Sequence, residues 1–188
     1  MSVAADRGEV VGVAVSSPAD GRALARTVAG LEPPLAGRVV ANGDDVTAKP
    51  PTGRRIGYIP AGGGLLPHLS VVDNITYRLD PRQSIRGLVD DGVVEITTQL
   101  ELVGVQSRLP HTLTPEQRLR AAIARAVLHD PAALVVDMPA VEAVALRHHG
   151  VFTQVHLPAG DRLAVLVCTD DGTLLGRLDR YAKVTAGT

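Results

Sequence analysis

The stretch LTPEQRLRAAIARAVLHDPAALVVDMP, from Leu113 to Pro139, decides the fold of this chain. Thr114, Pro115 and Gln117 have the spacing of the N-cap, first and third positions of a helix, which predicts a capping box. Apolar residues then recur at helical spacing and predict one buried face, which is formed by Leu119, Ile123, Ala126 and Val127.

A short strand is predicted after this helix. His129, Asp130 and Pro131 end the helix, and the residues from Ala132 to Val136 form a wholly apolar run, typical of a parallel strand buried on both faces. Asp137 follows at the carboxyl end of that strand. Because open parallel sheets bind ligands outside the carboxyl ends of their strands, Asp137 is a candidate functional residue.

Composition excludes several classes of protein. The 188 residues are enough for one domain with its own core, and the single cysteine, Cys168, excludes an internal disulfide framework and indicates a reducing compartment. Lys plus Arg number 19 against 20 for Asp plus Glu, and aromatic residues make up 2%, so we expect no nucleic-acid partner. The sequence contains neither an apolar run of about 18 residues nor a signal-peptide pattern, so we expect a cytoplasmic protein without direct membrane insertion.

The stretch from Leu113 to Pro139 resembles the signature helix and Walker B strand of ATP-binding cassette (ABC) transporter ATPases, where L-S-G-G-Q begins the helix and L-L-L-D-E-P follows it. The two family glycines are replaced by Pro115 and Glu116, and the catalytic glutamate is replaced by Met138. Pro115 lacks an N–H that would meet a γ-phosphate, and Glu116 adds negative charge there. The altered signature consists of Thr114, Pro115, Glu116 and Gln117.

An earlier segment resembles the family's Walker A motif, G-P-S-G-C-G-K-S-T, when it is aligned through the sequence A-G-L at Ala29 to Leu31. The pattern predicts a strand from Glu9 to Val15, a loop from Ser16 to Gly21, and a helix from about Arg22 to Ala29. This order of strand, loop and helix is the setting of a phosphate-binding loop.

Most of the working residues of that motif are different in this chain. Ser17 matches, but Gly21 stands at the position of the phosphate-binding lysine and Arg22 at that of the magnesium-binding serine, while Pro18 and Asp20 replace glycines. Losing the lysine and one amide removes about 3 kcal/mol of binding, which lowers nucleotide affinity by at least about a hundredfold. Two interpretations follow, an ordinary strand-to-helix loop or a residual anion site that uses Arg22.

The segment from Pro60 to Tyr77 resembles the family's Q-loop region, with Ala61 in place of the glutamine. The three glycines after Ala61 lack the dinucleotide-binding spacing, and we interpret them as a flexible hinge. In the family, the next residues lie near the groove that receives a helix of the membrane subunit, so the resemblance implies a coupling surface formed by Leu65, Leu66, Pro67, His68 and Leu69. An alternative stays open, in which Leu69, Val72 and Ile75 are helix-core residues and Ser70 and Asp73 cap the helix.

The remaining segments extend the resemblance to almost the whole chain. The pattern VVEITTQLELVGV predicts an amphipathic helix that ends at Gly104, and LAVLV from Leu163 to Val167 predicts another buried strand. Asp170 stands at the position of the family's switch histidine. The D-loop aspartate is absent from the segment Val141, Glu142, Ala143 and Val144, and no common zinc pattern is formed by His148, His149 and His156, so we expect no metal site.

The resemblance implies an α/β fold of the P-loop NTPase type, with a mainly parallel sheet core and a small helical subdomain. We expect a single ABC ATPase-like domain whose core comprises residues 1–62 and 130–188 and whose helical subdomain comprises about residues 65–128. The vestigial nucleotide-binding site comprises Ser17, Asp20, Gly21, Arg22, Ala61 and Asp137. Arg22 and Asp137 are expected to form an ion pair with charged groups within about 6 Å, at the position of the lost magnesium ion, unless Asp137 only caps a neighbouring loop.

Three hypotheses for function follow. The first is a non-hydrolysing ABC-type domain that acts as a binding or scaffold subunit, with a transmembrane permease or another ABC ATPase subunit as partner, at the inner face of the membrane. The second is a transporter ATPase that binds ATP weakly and is completed by an active partner. The third is a regulatory module that binds another anion. Under the first hypothesis we expect no cofactor, with ATP and magnesium bound weakly if at all.

Overall fold

In the computed structural model, which describes residues 2–77, 88–143, 163–178 and 180–183, the core is a parallel β-sheet. The strands of the described chain are β1 (Val10–Ala14), β2 (Val40–Ala41), β3 (Asp44–Asp45), β4 (Ile56–Ile59), β5 (Ala133–Asp137), β6 (Ala164–Thr169) and β7 (Arg180–Lys183). Five of them form the sheet in the order β4-β5-β6-β1-β7, with every pairing parallel. β2 and β3 form a separate antiparallel hairpin.

Helices cover both faces of this sheet. They are α1 (Pro18–Ala29), α2 (Pro51–Arg54), α3 (Val71–Thr76), α4 (Leu88–Gln99), α5 (Pro115–Val127), α6 (Ala140–Ala143) and α7 (Gly172–Leu175), with short 3-10 turns at Ala61–Gly64, Val103–Val105 and Pro110–Thr112. Because side chains alternate along a strand, Leu134 and Val136 of β5 enter the larger core cluster beside α5. Val135 enters the smaller cluster with Ala25 and Ala29 of α1. The predicted α/β fold with a parallel core is therefore confirmed.

The helix predicted at the centre of the sequence is present. α5 begins at Pro115, and Thr114 and Gln117 form the predicted capping box, in which each side chain accepts a hydrogen bond from the other residue's backbone N–H. Ile123 and Val127 have no exposed surface. Because this face packs against α3 and β4, α5 is held in place by its local cap and by its tertiary contacts.

The predicted start of α1 is wrong. Instead of a loop up to Gly21, α1 already begins at Pro18, because Ser17 is a side-chain N-cap that accepts a hydrogen bond from the N–H of Asp20. Pro18 is at the first helical position, where its missing N–H is not needed. The segment that was expected to form a phosphate-binding loop therefore forms the capped first turn of α1.

One further boundary differs from the prediction. The helix that was expected to end at Gly104 ends at Gln99, because Glu101 takes a left-handed conformation with φ of 54° and the N–H of Leu102 bonds the carbonyl of Thr97 at 2.7 Å. In α3, Ser70 is the predicted cap, and it accepts a hydrogen bond from the N–H of Asp73.

Some predictions fall outside the described residues. These concern Val144, His148, His149 and His156, and the division into a core and a helical subdomain also stays a prediction. Within the described part of the chain, no helix is both long and apolar enough to cross a membrane.

Candidate functional site

Asp137 and Arg22 meet at the carboxyl end of β5. Strand alternation places Asp137 on the same side as Val135, which is the side covered by α1. Arg22 lies in the first turns of α1, and its Nε lies 3.6 Å from Oδ2 of Asp137. This distance is within the expected 6 Å, so the predicted ion pair is present.

The carboxylate of Asp137 is buried and incompletely satisfied. The residue is 2% exposed. Among the described residues, none forms a hydrogen bond to Oδ2. Burial raises the pKa of Asp137 above its usual range, and this effect is opposed by the positive charge of Arg22 and by the backbone N–H of Ala61.

The first turn of α1 uses most of the N–H groups that a phosphate-binding loop would offer. Pro18 has no N–H, the N–H of Asp20 bonds the side chain of Ser17, and the N–H of Gly21 bonds the carbonyl of Ser17 at 3.1 Å. Ser17 also donates its hydroxyl to the carboxylate of Asp20 at 2.8 Å. This start of α1 thus satisfies its own polar groups and presents an acidic side chain.

Gly21 lies close to the buried carboxylate. A Cβ added at this position would lie 3.8 Å from Oδ1 of Asp137 and 3.3 Å from the side chain of Val15. A longer side chain here would therefore begin beside Asp137, where the resemblance aligns the family's lysine.

Two neighbours of Asp137 were missed by sequence reasoning. Tyr58 of β4 lies opposite Val135 in the sheet register, and burial followed by the charge of Asp137 raises the pKa of Tyr58. Cys168 lies opposite Asp137, and burial followed by the same charge raises the pKa of the thiol to about 12. Only the order of the strands brings these groups together, so the sequence carried no local signal for them.

Other candidate residues have partners within the fold. Met138 is 2% exposed and belongs to the larger core cluster. Asp170 accepts a hydrogen bond from the N–H of Ala140 at 2.7 Å, and Glu142 accepts one from the N–H of Gly62 at 2.7 Å. Acidic side chains at this edge of the sheet thus bind backbone N–H groups of neighbouring segments.

The signature position also forms internal contacts. Glu116 accepts hydrogen bonds from Arg120 at 3.0 and 2.6 Å, and Arg120 in turn bonds the carboxylate of Glu101 and the carbonyl of Leu100. Arg120 is 9% exposed. The structure therefore joins the start of α5 to the segment after α4.

The predicted coupling loop is held by one buried side chain. Asn74 of α3 is fully buried, accepts the N–H of Leu66 at 2.7 Å, and donates to the carbonyls of Leu66, Leu69 and Ser70, each at 3.0 Å. Pro67 and His68 are exposed, whereas Leu65, Leu66 and Leu69 are partly buried. The buried positions of α3 are Val71, Asn74 and Ile75. Of the three core positions in the alternative, Ile75 is buried, whereas Leu69 and Val72 are only partly buried.

The sheet order and the helices on both faces define a layered α/β fold with a parallel core. The sequence model of the family described as ABC transporter matches residues 1–141, and the chain belongs to this family. Among solved structures, cbiO1 from Clostridium perfringens, described as part of the ABC transporter complex cbiONQ, matches with a TM-score of 0.73, 18% identity and coverage of 97% of this chain and 76% of that chain. At this identity the likeness is one of fold.

Curated relatives are ATP-binding proteins of import systems. The chain is 40% identical over 116 residues to the molybdate/tungstate import ATP-binding protein WtpC of Pyrococcus abyssi, and this alignment covers 62% of this chain and 34% of that protein. It is 34% identical over 171 residues to the sulfate/thiosulfate import ATP-binding protein CysA of Mycobacterium bovis, in an alignment that covers 87% of this chain and 47% of that protein. The chain thus spans about half the length of these relatives or less.

Proposed function

We propose that this chain is the ABC-type subunit of an import complex, in which it binds or supports its partners without hydrolysing ATP. The observation that carries the proposal is the ion pair between Arg22 and Asp137. The resemblance aligns Arg22 with the hydroxyl that holds magnesium and Asp137 with its Walker B partner. The guanidinium, whose Nε lies 3.6 Å from Oδ2 of Asp137, supplies positive charge where the metal ion would bring it.

The surroundings of this pair do not fit a magnesium nucleotide. The N–H groups of Asp20 and Gly21 are bonded to Ser17, and the carboxylate of Asp20 would repel a polyphosphate. Hydrolysis requires a base or polarising group beside the attacking water, and the aligned positions hold the buried thioether of Met138 and the carboxylate of Asp170, which is bonded to Ala140. These features support a role that does not depend on nucleotide.

The expected partners follow from the relatives. Since the chain is similar to ATP-binding proteins of importers, we propose a transmembrane permease or another ABC ATPase subunit as the partner, which would hold the chain at the inner face of the membrane. The exposed Pro67 and His68 at the tip of the loop held by Asn74 are the proposed point of contact.

Isothermal titration calorimetry with ATP, in the presence and absence of magnesium, tests the proposal. We expect no magnesium-dependent binding by the chain or by its Asp137→Asn variant. Tight magnesium-dependent binding that is lost in Asp137→Asn would overturn the proposal, since it would place a metal ion on this carboxylate.

One observation favours a second candidate, the ATPase that binds nucleotide weakly and is completed by an active partner. Oδ2 of Asp137 is buried without a hydrogen bond from any described residue, and a metal ion is one group that could satisfy it. In that case, the Arg22→Ser variant would bind magnesium ATP more tightly than the unmodified chain, because it restores the missing hydroxyl and removes the competing charge. If the unmodified chain and Arg22→Ser both bind magnesium ATP negligibly, the result favours the non-hydrolysing binding or scaffold subunit.

A further inference from the structure

The glycine turn, Ala61–Gly64, has a backbone that only glycine adopts readily. Gly62, Gly63 and Gly64 have φ values of 74°, 79° and 57°, all in the left-handed region. Glycine loses more conformational entropy on ordering than other residues, so a turn with this composition needs external contacts to remain in one conformation. The structure provides such contacts in the form of hydrogen bonds from neighbouring elements. The flexible hinge stays a prediction.

The contacts come from separate elements on both sides of the turn. On one side, Glu142 of α6 accepts the N–H of Gly62 at 2.7 Å. On the other side, Arg125 of α5 donates to the carbonyls of Gly64 and Gly63, at 2.9 and 3.1 Å.

The turn is also packed against α5. A Cβ at Gly63 would lie 3.1 Å from the carbonyl oxygen of Arg118 and 3.3 Å from the Cβ of Ala122. Directly after the turn, the loop from Leu66 to Ser70 is fixed by Asn74. Hydrogen bonds from Glu142 and Arg125 therefore hold the turn, and hydrogen bonds from Asn74 hold the loop that follows it.

We propose that Glu142 and Arg125 act together as a two-sided clamp that holds the glycine turn, and with it the following loop, in a single conformation. Ala61 has no polar side chain, and these two charged residues supply the anchorage from neighbouring elements instead. The clamp lowers the entropy that the loop loses when a partner binds at Pro67 and His68. Only this last consequence rests on the proposed function.

The test is residue-resolved amide hydrogen exchange, measured by NMR on the full chain without nucleotide or partner. Removing a hydrogen bond to a charged group in Glu142→Ala is expected to speed exchange of the Gly62 amide about tenfold. Arg125→Ala is expected to speed exchange of the same amide, although Arg125 bonds only carbonyls. Glu142→Gln keeps an acceptor oxygen and is expected to retain most of the protection.

Val141→Ala is the matched control, because Val141 lies beside Glu142 and is 82% exposed. It is expected to leave the exchange of Gly62 unchanged. The proposal is overturned if the Gly62 amide of either folded variant, Glu142→Ala or Arg125→Ala, exchanges as slowly as in the unmodified chain. If Arg125→Ala does not fold, Arg125→Lys is measured in its place. It is also expected to speed exchange of the Gly62 amide, since one ammonium group does not reproduce the planar guanidinium that spans both carbonyls. Because exchange is measured without ATP, its result is independent of the nucleotide experiment.

Discussion

The Nε atom of Arg22 lies 3.6 Å from Oδ2 of Asp137, yet the two side chains are 61% and 3% exposed. The pair therefore joins a solvated cation to a buried anion. Losing the cation leaves the carboxylate buried without its counter-charge, whereas losing the anion leaves the guanidinium in water. The two residues are thus unequal in their effect on stability.

We predict that Arg22→Ala lowers the free energy of unfolding by about 1 to 2 kcal/mol, a value reduced for the exposure of Arg22. The matched control is Arg55→Ala, because Arg55 has a similar exposure of 59% but its partner Asp130 is 71% exposed. That variant should change stability by less than about 0.5 kcal/mol. Urea unfolding compares Arg22→Ala with Arg55→Ala, and unfolding of Asp137→Asn alone and combined with Arg22→Ala completes the double-mutant cycle that measures the coupling. Equal losses in Arg22→Ala and Arg55→Ala would contradict the prediction.

A second prediction concerns pH and the ion pair between Glu9 and Arg180. Hydrogen bonds from Arg180, at 2.6 and 2.9 Å, and from the N–H of Asp6 lower the pKa of Glu9 from 4.5 to about 2. Because the folded pKa is depressed, this stabilisation is fully present above about pH 4.5 and is lost as the pH falls towards 2.

Unfolding measured across this pH range should show a smaller acid-induced loss of stability in Glu9→Gln than in the unmodified chain. The pair is at the surface, so added salt should reduce the difference. A carboxyl NMR signal of Glu9 that titrates at its ordinary pKa would contradict this prediction.

The third prediction concerns Arg120, which bonds Glu116, Glu101 and a backbone carbonyl while being 9% exposed. Arg120→Ala should lower the free energy of unfolding by about 3 kcal/mol, because it removes a charged donor from Glu116 and from Glu101 and a donor from the buried carbonyl of Leu100. Arg120→Lys should lower the free energy of unfolding by less, since lysine keeps the positive charge although it lacks the planar guanidinium.

Arg26 provides the control for Arg120, because it pairs with the single carboxylate of Glu32 and its side chain is 38% exposed. Arg26→Ala should lower the free energy of unfolding by less than Arg120→Ala, because solvent screens this pair. Thermal unfolding by circular dichroism ranks these variants, and a loss in Arg120→Ala no larger than that in Arg26→Ala would show that the buried contacts contribute little.

The fourth prediction compares two neighbouring glycines. Gly62 and Gly63 have similar φ values of 74° and 79°, but a Cβ at Gly62 would have no neighbour within 4 Å, whereas a Cβ at Gly63 would lie 3.1 Å from the carbonyl of Arg118. Alanine at Gly62 should therefore lower stability by about 1 kcal/mol, from backbone strain alone. Alanine at Gly63 should lower it further, because α5 must shift. Denaturant unfolding of the two variants separates the effect of packing from that of backbone strain. Equal losses of unfolding free energy would show that packing against α5 contributes nothing at Gly63.

Much of the fold follows from local patterns. The capping box at Thr114, the apolar run of β5 and the position of Asp137 at its end were predicted because each depends on residues a few positions apart. The start of α1 had a similar local signal, since Ser17, Pro18 and Asp20 have the spacing of a cap, a first-turn proline and an acidic first-turn residue. The alignment with a phosphate-binding loop instead predicts a loop up to Gly21, which is why the predicted start of α1 is too late.

The local patterns of the chain thus determine where its central helix and its apolar strands lie, because capping and side-chain alternation act over a few residues. They do not determine which partner each charged group finds. Glu142 bonds Gly62 across 80 positions, and Tyr58 approaches Asp137 only because β4 lies beside β5. Such pairs depend on the order of strands in the sheet and on burial between its layers, so only the tertiary structure decided that Asp137 is a buried carboxylate beside a solvated arginine.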